Sequence, residues 1–404
     1  MSLLDKLSDS SQWERFYEYK ASLAASKHFI KELRCFIDMR RYLPVCERIS
    51  DGAPFPLPKR SLISKLGSEK KRAVYTYPDD ENIVLKLLTH LMIRKYDHIF
   101  SECLYSFRPD KTAGSAIKKL RGIKGINEMY AYKADISDYF NSTDVHVLLP
   151  LLENALSDDE ALFSFLRSLL LEEYVLERGQ QVKLSKGFMA GTPQSSFYAN
   201  LFLSALDKHF EALHVPYARY SDDLIVFAPT REELDCHIEY IRSFLEDNGL
   251  KINEKKEHIS LPHEGFDFLG LSLKNGVTDI SKVSLTKLKK KMRRKARALR
   301  RWCERGDIPP GKGAKAFVRI FERKLFEGGS DNELTWTRWY FPVITTSAGL
   351  SCIDRYAQDC IRFLLTGKRN KGRFKVTYSD IKALGLKSLV HEYYAQAKMP
   401  KQPC

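Results

Sequence analysis

Apolar residues recur at helical spacing through the first fifty positions, as in Phe29, Ile30, Leu33, Phe36 and Ile37, and predict a helical opening segment. Pro54, Pro56 and Pro58 interrupt that pattern, and Lys65 to Arg72 follow as a basic stretch around a turn signal. Ile83 to Ile99 reads as a buried helix, Tyr130 to Ile136 as a short strand, and Val145 to Leu176 as helix with acidic breaks. Apolar residues at 197, 201, 206, 210 and 213 predict a helix over Phe197 to Leu213. Gly191-Thr-Pro-Gln194 opens it, where a proline suits a first turn. Tyr217 to Tyr220 and Leu224 to Phe227 are apolar runs of strand length on either side of a tight turn. Strands and helices mix here without regular βαβ alternation, which places the central part of the chain in the α+β class. No internal repeat or low-complexity tract is visible.

The pattern changes after about residue 280. Leu285 to Trp302 holds ten Lys or Arg, yet Leu285, Leu288, Met292, Ala296, Leu299 and Trp302 fall on one helical stripe. One face packs and the rest is cationic. A solvated surface helix is the plain alternative, but like charges at i and i+4 repel, so a phosphate backbone is a natural neutraliser. Gly306 to Gly313 reads as a loop, and helical pattern continues beyond it. The expected division is 1–54, an N-terminal helical extension; 55–280, the central α+β part; and 281–404, a helical, basic C-terminal part.

Charge sharpens the picture. Lys and Arg number 66 against 51 Asp and Glu, a formal +15, which points to a polyanionic partner. The eight cysteines are scattered, with no CxxC pair and no paired His spacing, which argues against a zinc site or disulfide framework and for a reducing compartment. No apolar run approaches the ~20 residues of a membrane span, and the N-terminus lacks the shape of a secretory signal. The expected setting is cytoplasmic, without membrane contact.

Two adjacent carboxylates, Asp222 and Asp223, stand at the turn between the two apolar runs. Neighbouring anions near a core repel each other unless something positive compensates them. Asp is an ordinary turn former, so the pair alone is modest evidence. A third acid raises its weight: Lys133-Ala-Asp-Ile-Ser-Asp-Tyr-Phe140 is another apolar strand ending in an aspartate and running into an aromatic pair. Asp135, Asp222 and Asp223 converging from two strands suit two Mg²⁺ ions, with Mn²⁺ as the alternative, because hard cations take oxygen ligands. Such ions ~3.5–4 Å apart activate a 3′-hydroxyl and stabilise a leaving pyrophosphate.

Six stretches in this order resemble the motifs of reverse transcriptases: Ser106-Phe-Arg-Pro109, Asp135 to Phe140, Gly191-Thr-Pro-Gln194 with Ala199-Asn200, Tyr220-Ser-Asp-Asp223, Gly249 to Lys256, and Phe268-Leu-Gly270. The resemblance covers roughly residues 55 to 275 and is to the bacterial branch that includes group II intron, retron and defence-associated enzymes. It implies a right-hand polymerase fold with fingers, an antiparallel-sheet palm and a helical thumb. It also implies RNA-directed DNA synthesis from dNTPs. Asp135 and Asp222 are the principal metal ligands it implies, Asp223 a supporting carboxylate and the Ile136 carbonyl an extra oxygen, whereas Asp138 is better taken as a solvated or helix-start acid. Phe140 matches the steric gate against a 2′-hydroxyl, Lys65 and Arg72 match cations offered to the triphosphate, and Gln194 matches a residue near the nascent base pair. Lys256 matches a lysine near the leaving pyrophosphate. Arg108 matches a template-side residue, with a structural salt bridge as the equal alternative, and Phe268, Leu269 and Gly270 match the hairpin that grips the primer. On the cationic helix, Lys290, Arg294, Arg297 and Arg301 are the expected phosphate contacts.

The chain departs from the family pattern after Gln194, where Ser195-Ser-Phe-Tyr198 replaces a longer Gly-rich stretch, and it shows no endonuclease module or Cys/His cluster. Trp336 to Tyr340 and Tyr378 to Tyr394 resemble segments of stand-alone bacterial reverse transcriptases that serve in anti-phage defence beside a structured non-coding RNA. Such an RNA is the expected template and cDNA the product, with oligomeric state left open. The competing readings are an intron-derived reverse transcriptase or maturase, an RNA polymerase, which Phe140 argues against, and an RNA-binding protein that keeps a polymerase fold.

Overall fold

Trp13, Phe16, Leu33 and Phe36 bury their rings and branches in the same core as Leu85 and Leu88. The first helices, Ser10–Ser22, Lys27–Asp38 and Tyr42–Ser50, therefore do not form a separate layer but share that core with the helix Asp79–Lys95. The stacked rings of Trp13 and Tyr42, 5.0 Å apart, fasten the first of these helices to the third. The structure, a computed structural model, describes residues 1–23, 27–64, 71–183, 187–327, 335–368 and 375–398. It divides into two units, Met1–Pro262 and His263–Cys404.

Among its described residues the first unit holds eight strands: β1 (Lys59–Ser64), β2 (Lys71–Thr76), β3 (Tyr130–Asp135), β4 (Tyr174–Glu177), β5 (Gln180–Lys183), β6 (Tyr217–Tyr220), β7 (Asp223–Ala228) and β8 (His258–Ser260). One sheet has the order β2-β1-β4-β5. The other, β6-β7-β3-β8, is antiparallel throughout and corresponds to the expected palm. Helices Ser204–Ala212 and Arg231–Asp247 pack on this second sheet. Its inner strands β3 and β7 are buried along most of their length, as a continuous apolar run such as Leu224-Ile-Val-Phe-Ala228 requires.

Several elements differ from their sequence expectations. Helix ends at Leu171, and 174–176 belong to β4, which turns into β5 through Arg178 and Gly179, both at positive φ. The helix expected over 197–213 is two, Ser195–Phe202 and Ser204–Ala212, broken at Leu203. Lys65 and Lys70 lie outside the described residues.

In the second unit β9 (Phe266–Phe268), β10 (Leu271–Lys274) and β11 (Val277–Ile280) form an antiparallel sheet. The unit therefore begins before the composition shift at 280. Two contacts tie β11 to the chain around Thr345 and Gly349: the Asp279 carboxylate accepts from the Gly349 N–H at 3.1 Å, and the Thr345 N–H donates to the Thr278 carbonyl at 2.8 Å. Leu269-Gly270 makes the first turn, where Gly270, at φ +81°, has Ser284 Oγ and the Tyr340 hydroxyl within 3.0 Å of where a Cβ would stand.

Helix Lys282–Arg305 buries Leu288, Met292, Ala296 and Cys303 against its neighbours Pro310–Glu322 and Ala348–Thr366. Trp302, placed on the apolar stripe by its spacing, is instead 46% exposed. At about 100° per residue Trp302 lies ~40° to one side of Leu288, whereas Met292, Ala296 and Cys303 lie ~40–80° to the other, so the buried face is centred away from Trp302. Lys290, Arg294, Arg297 and Arg301 are exposed, as expected of a cationic face. The loop after this helix is shorter than expected, since Pro310 already begins the next helix. No helix among the described residues is long and apolar enough to cross a membrane.

Candidate active site

The register of the palm sheet brings the acids together. Asp135 at the end of β3 lies opposite Asp223 at the start of β7, and Tyr220 pairs with the same Asp223 from β6. Ser221 and Asp222 are then the two residues of the turn, with Ser221 at φ +59°. One carboxylate oxygen from each of Asp135, Asp222 and Asp223 lies within 4.8 Å of the others. The Asp222 carbonyl accepts from the Ile136 N–H at 3.0 Å, which closes the turn onto the chain after β3. Ile136 bridges Ile252 through the N–H groups of Ser137 and Asn253 and the carbonyls of Lys251 and Asp135, which leaves the Ile136 carbonyl out of the bridge.

A buried network holds the turn in its left-handed conformation. The Ser221 N–H donates to Ser106 Oγ at 2.9 Å, and Ser106 Oγ donates to Asn200 Oδ1 at 3.0 Å. Asn200 Nδ2 returns a bond to the Ser106 carbonyl at 2.9 Å. Arg219, with no exposed side-chain surface, donates to the carbonyls of Ser221 (3.1 Å) and Asn200 (3.1 Å) and pairs with the equally buried Asp207 at 2.5 Å. Tyr217 donates its hydroxyl to Asp207 as well, at 2.9 Å. Ser106 and Asn200 stand in recognisable motifs, yet neither motif predicts that they meet Ser221. Asp207 carries no sequence signal at all, because a carboxylate within a helix is ordinarily solvated.

The electrostatics are those of a largely buried cluster of like charges. Burial, and then the charge of Asp135, raise Asp222 above the usual carboxylate range. Burial and the Asp222 charge push Asp223 up to about 6. Compensation comes from the Lys256 ammonium, which is hydrogen-bonded to Asp135, and from Asn253 Nδ2, which donates to the same carboxylate at 3.2 Å. Three hard oxygen donors, two of them held as reluctant anions, fit a divalent cation of the Mg²⁺ type.

The raised Asp223 makes stability depend on pH. In chelator, the folded protein binds this proton more tightly than the unfolded chain does. The associated stability is full below the ordinary carboxylate value and is lost as pH rises through about 6. Asp223→Asn is therefore expected to match wild type in urea unfolding near pH 4 and to exceed it by about 1–2 kcal/mol at pH 7. An offset that does not change between the two pH values contradicts the raised acid.

The other expected residues have distinct placements. Phe140 is half-buried, with the Arg72 guanidinium 5.8 Å from its ring centroid. Asp138 is exposed at the start of the short helix Tyr139–Ser142, as its helix-start reading expects. Gln194 is fully buried, and neither of its amide atoms has a hydrogen-bond partner among the described residues. Arg108 is turned inward: only 3% of its side chain is exposed, it forms a two-pronged pair with Asp97 (2.7 and 2.8 Å), and it donates to the Ser101 carbonyl at 2.6 Å. That is the structural salt bridge, and a template phosphate has no open edge of this guanidinium to meet. Phe268 is buried, and Leu269 and Gly270 form the turn of the second unit.

The family profile described as reverse transcriptase (RNA-dependent DNA polymerase) matches residues 59–273, more than half of the chain. Among curated proteins, the group II intron-encoded protein LtrA of Lactococcus lactis subsp. cremoris is 23% identical over 233 residues, 57% of this chain and 37% of that protein. The chain thus matches little more than a third of the length of this relative. Among solved structures, apo telomerase from Candida tropicalis has a TM-score of 0.47 at 13% identity, covering 77% of this chain and 57% of the other. Telomerase from Candida albicans with a fragment of telomeric RNA has a TM-score of 0.45 at 13% identity, covering 86% and 67%. With the family profile matching residues 59–273, and with three acids meeting at the tip of the antiparallel sheet, the chain belongs to the reverse transcriptase family.

Proposed function

We propose that the protein synthesises DNA on an RNA template from deoxynucleoside triphosphates. The observation that carries this is the carboxylate triad on facing strands, three oxygens within 4.8 Å, because phosphoryl transfer needs positioning and charge neutralisation more than covalent help. Asp135, Asp222, Asp223 and the Ile136 carbonyl would hold Mg²⁺, with Mn²⁺ as substitute. Bound Mg²⁺ would supply the positive charge that activates the attacking hydroxyl and stabilises the leaving pyrophosphate. Lys256, with nearly half of its side chain exposed, exchanges its bond to Asp135 for the leaving group and donates a proton there. Arg72, and Lys65 beyond the described residues, offer donors to the triphosphate, and a guanidinium fork suits its oxygens. Gln194, whose orphaned amide is fully buried, would turn its side chain outward to find partners at the nascent base pair. A protein that only bound RNA would have no use for three clustered acids facing a polyanion.

The second unit is the proposed thumb. Lys290, Arg294, Arg297 and Arg301 track the phosphates of an RNA–DNA duplex by shape, and the Phe268-Leu269-Gly270 turn contacts the primer. The resemblance of Trp336–Tyr340 and Tyr378–Tyr394 to stand-alone enzymes supports a dedicated structured RNA as template, in an anti-phage role. Sequencing of nucleic acid that co-purifies tests this: one dominant folded RNA is expected, and a random RNA population contradicts it.

Primer extension tests the activity itself. Wild type is expected to extend a primer on RNA with dNTPs and to reject ribonucleotides, whereas Phe140→Ala admits ribonucleotides by about 10–100-fold. Absence of templated incorporation by wild type overturns the proposal, and unchanged sugar selection in Phe140→Ala removes the gate.

A further inference from the structure

Behind the half-buried Phe140 stands a stretch of backbone that leaves it almost no latitude. Gly187 is buried at φ +52°, and a Cβ there would lie 2.4 Å from the Phe140 carbonyl oxygen and 2.9 Å from the Asn141 carbonyl carbon. The next residue, Phe188, donates its N–H to that same Phe140 oxygen at 2.8 Å. The Phe188 ring is fully buried, edge-on to Phe140 at 6.4 Å between centroids and to Tyr139 at 5.6 Å. Tyr139 is itself pinned by its hydroxyl, which donates to the Ala199 carbonyl at 2.6 Å. The Phe140 ring is thus backed by Gly187 and Phe188 and capped by Arg72.

We propose that Gly187 and Phe188 set the position of the Phe140 ring and so are specificity-determining positions for the sugar of the incoming nucleotide. They are positioning residues that act through Phe140, and the inference rests on the gate reading of that ring. Both the positive φ and the 2.4 Å approach demand glycine at 187, since real Cβ contacts do not fall below 3.0 Å. A methyl group there pushes the Phe140 backbone outward, because a close-packed interior transmits the displacement instead of absorbing it. That moves the ring into the space of the sugar. A smaller side chain at 188 does the reverse and lets the ring settle back.

The test is competition between a dNTP and its rNTP in one primer-extension reaction, which reads the selection ratio independently of how much enzyme is folded. Phe188→Leu, which keeps the backbone donor, is expected to lower the dNTP preference by about fivefold or more; Gly187→Ala is expected to raise it while slowing dNTP incorporation. If Gly187→Ala does not fold, Phe188→Leu decides. Phe140→Ala runs alongside. Should it relax selection while both backing variants keep the wild-type ratio, the inference is wrong although the gate stands. Should Phe140→Ala also keep the ratio, the gate reading fails and this inference with it.

Discussion

Asp222→Ala is expected to lose nucleotide incorporation by ~10³-fold or more, a barrier increase of about 4 kcal/mol, without losing stability. The two halves of this expectation have the same origin. Asp222 is held as an anion against burial and against Asp135, so removing it relieves repulsion in the metal-free fold. The same carboxylate is one of three donors converging at the turn, so its loss leaves a divalent cation an incomplete set of ligands. Primer extension and urea unfolding of one preparation check both. Full activity removes the catalytic assignment, and a destabilised variant removes the electrostatic account of the cluster.

Arg219→Met is expected to cost the first unit about 3–5 kcal/mol, because it leaves the Asp207 carboxylate buried without its cation. It also strips donors from the Ser221 and Asn200 carbonyls, both at 3.1 Å, so activity falls with stability. The double variant Arg219→Met, Asp207→Leu separates the two effects. A buried ion pair replaced on both sides by apolar groups loses little, so most of the unfolding free energy returns. The turn, however, still lacks its guanidinium, and incorporation stays low. Chemical denaturation of the single and double variants measures the difference. An Arg219→Met protein as stable as wild type contradicts the role given to the pair.

Much of the site is legible in the chain because strand geometry is strict. Two apolar runs around Ser221-Asp222 dictate a two-residue hairpin, and an apolar strand ending at Asp135 has one natural place beside it. The illegible part depends on contacts between distant positions. Asp207 and Arg219 neutralise each other only because a helix and a strand end face the same interior point, and nothing in either local pattern says so. Gly187 looks like an ordinary glycine until Phe140 is seen against it. Arg108 offers two equal readings, and only burial beside Asp97 separates them. The short strand Tyr174–Glu177 follows a helix with only Glu172-Glu173 and no Gly or Pro between them, so its apolar residues read as a continuation of the helical pattern across one more acidic break; its hairpin with β5 decides its state.

The proposed activity requires the acids at the hairpin tip and at the end of β3 to form one divalent-cation site. Mn²⁺ titration monitored by electron paramagnetic resonance addresses it without any dependence on turnover. Wild type is expected to bind Mn²⁺, and Asp135→Asn and Asp223→Asn each to weaken binding by about tenfold or more, although the two residues stand on different strands. Mn²⁺ affinity unchanged in both variants would contradict a site shared between the two strands.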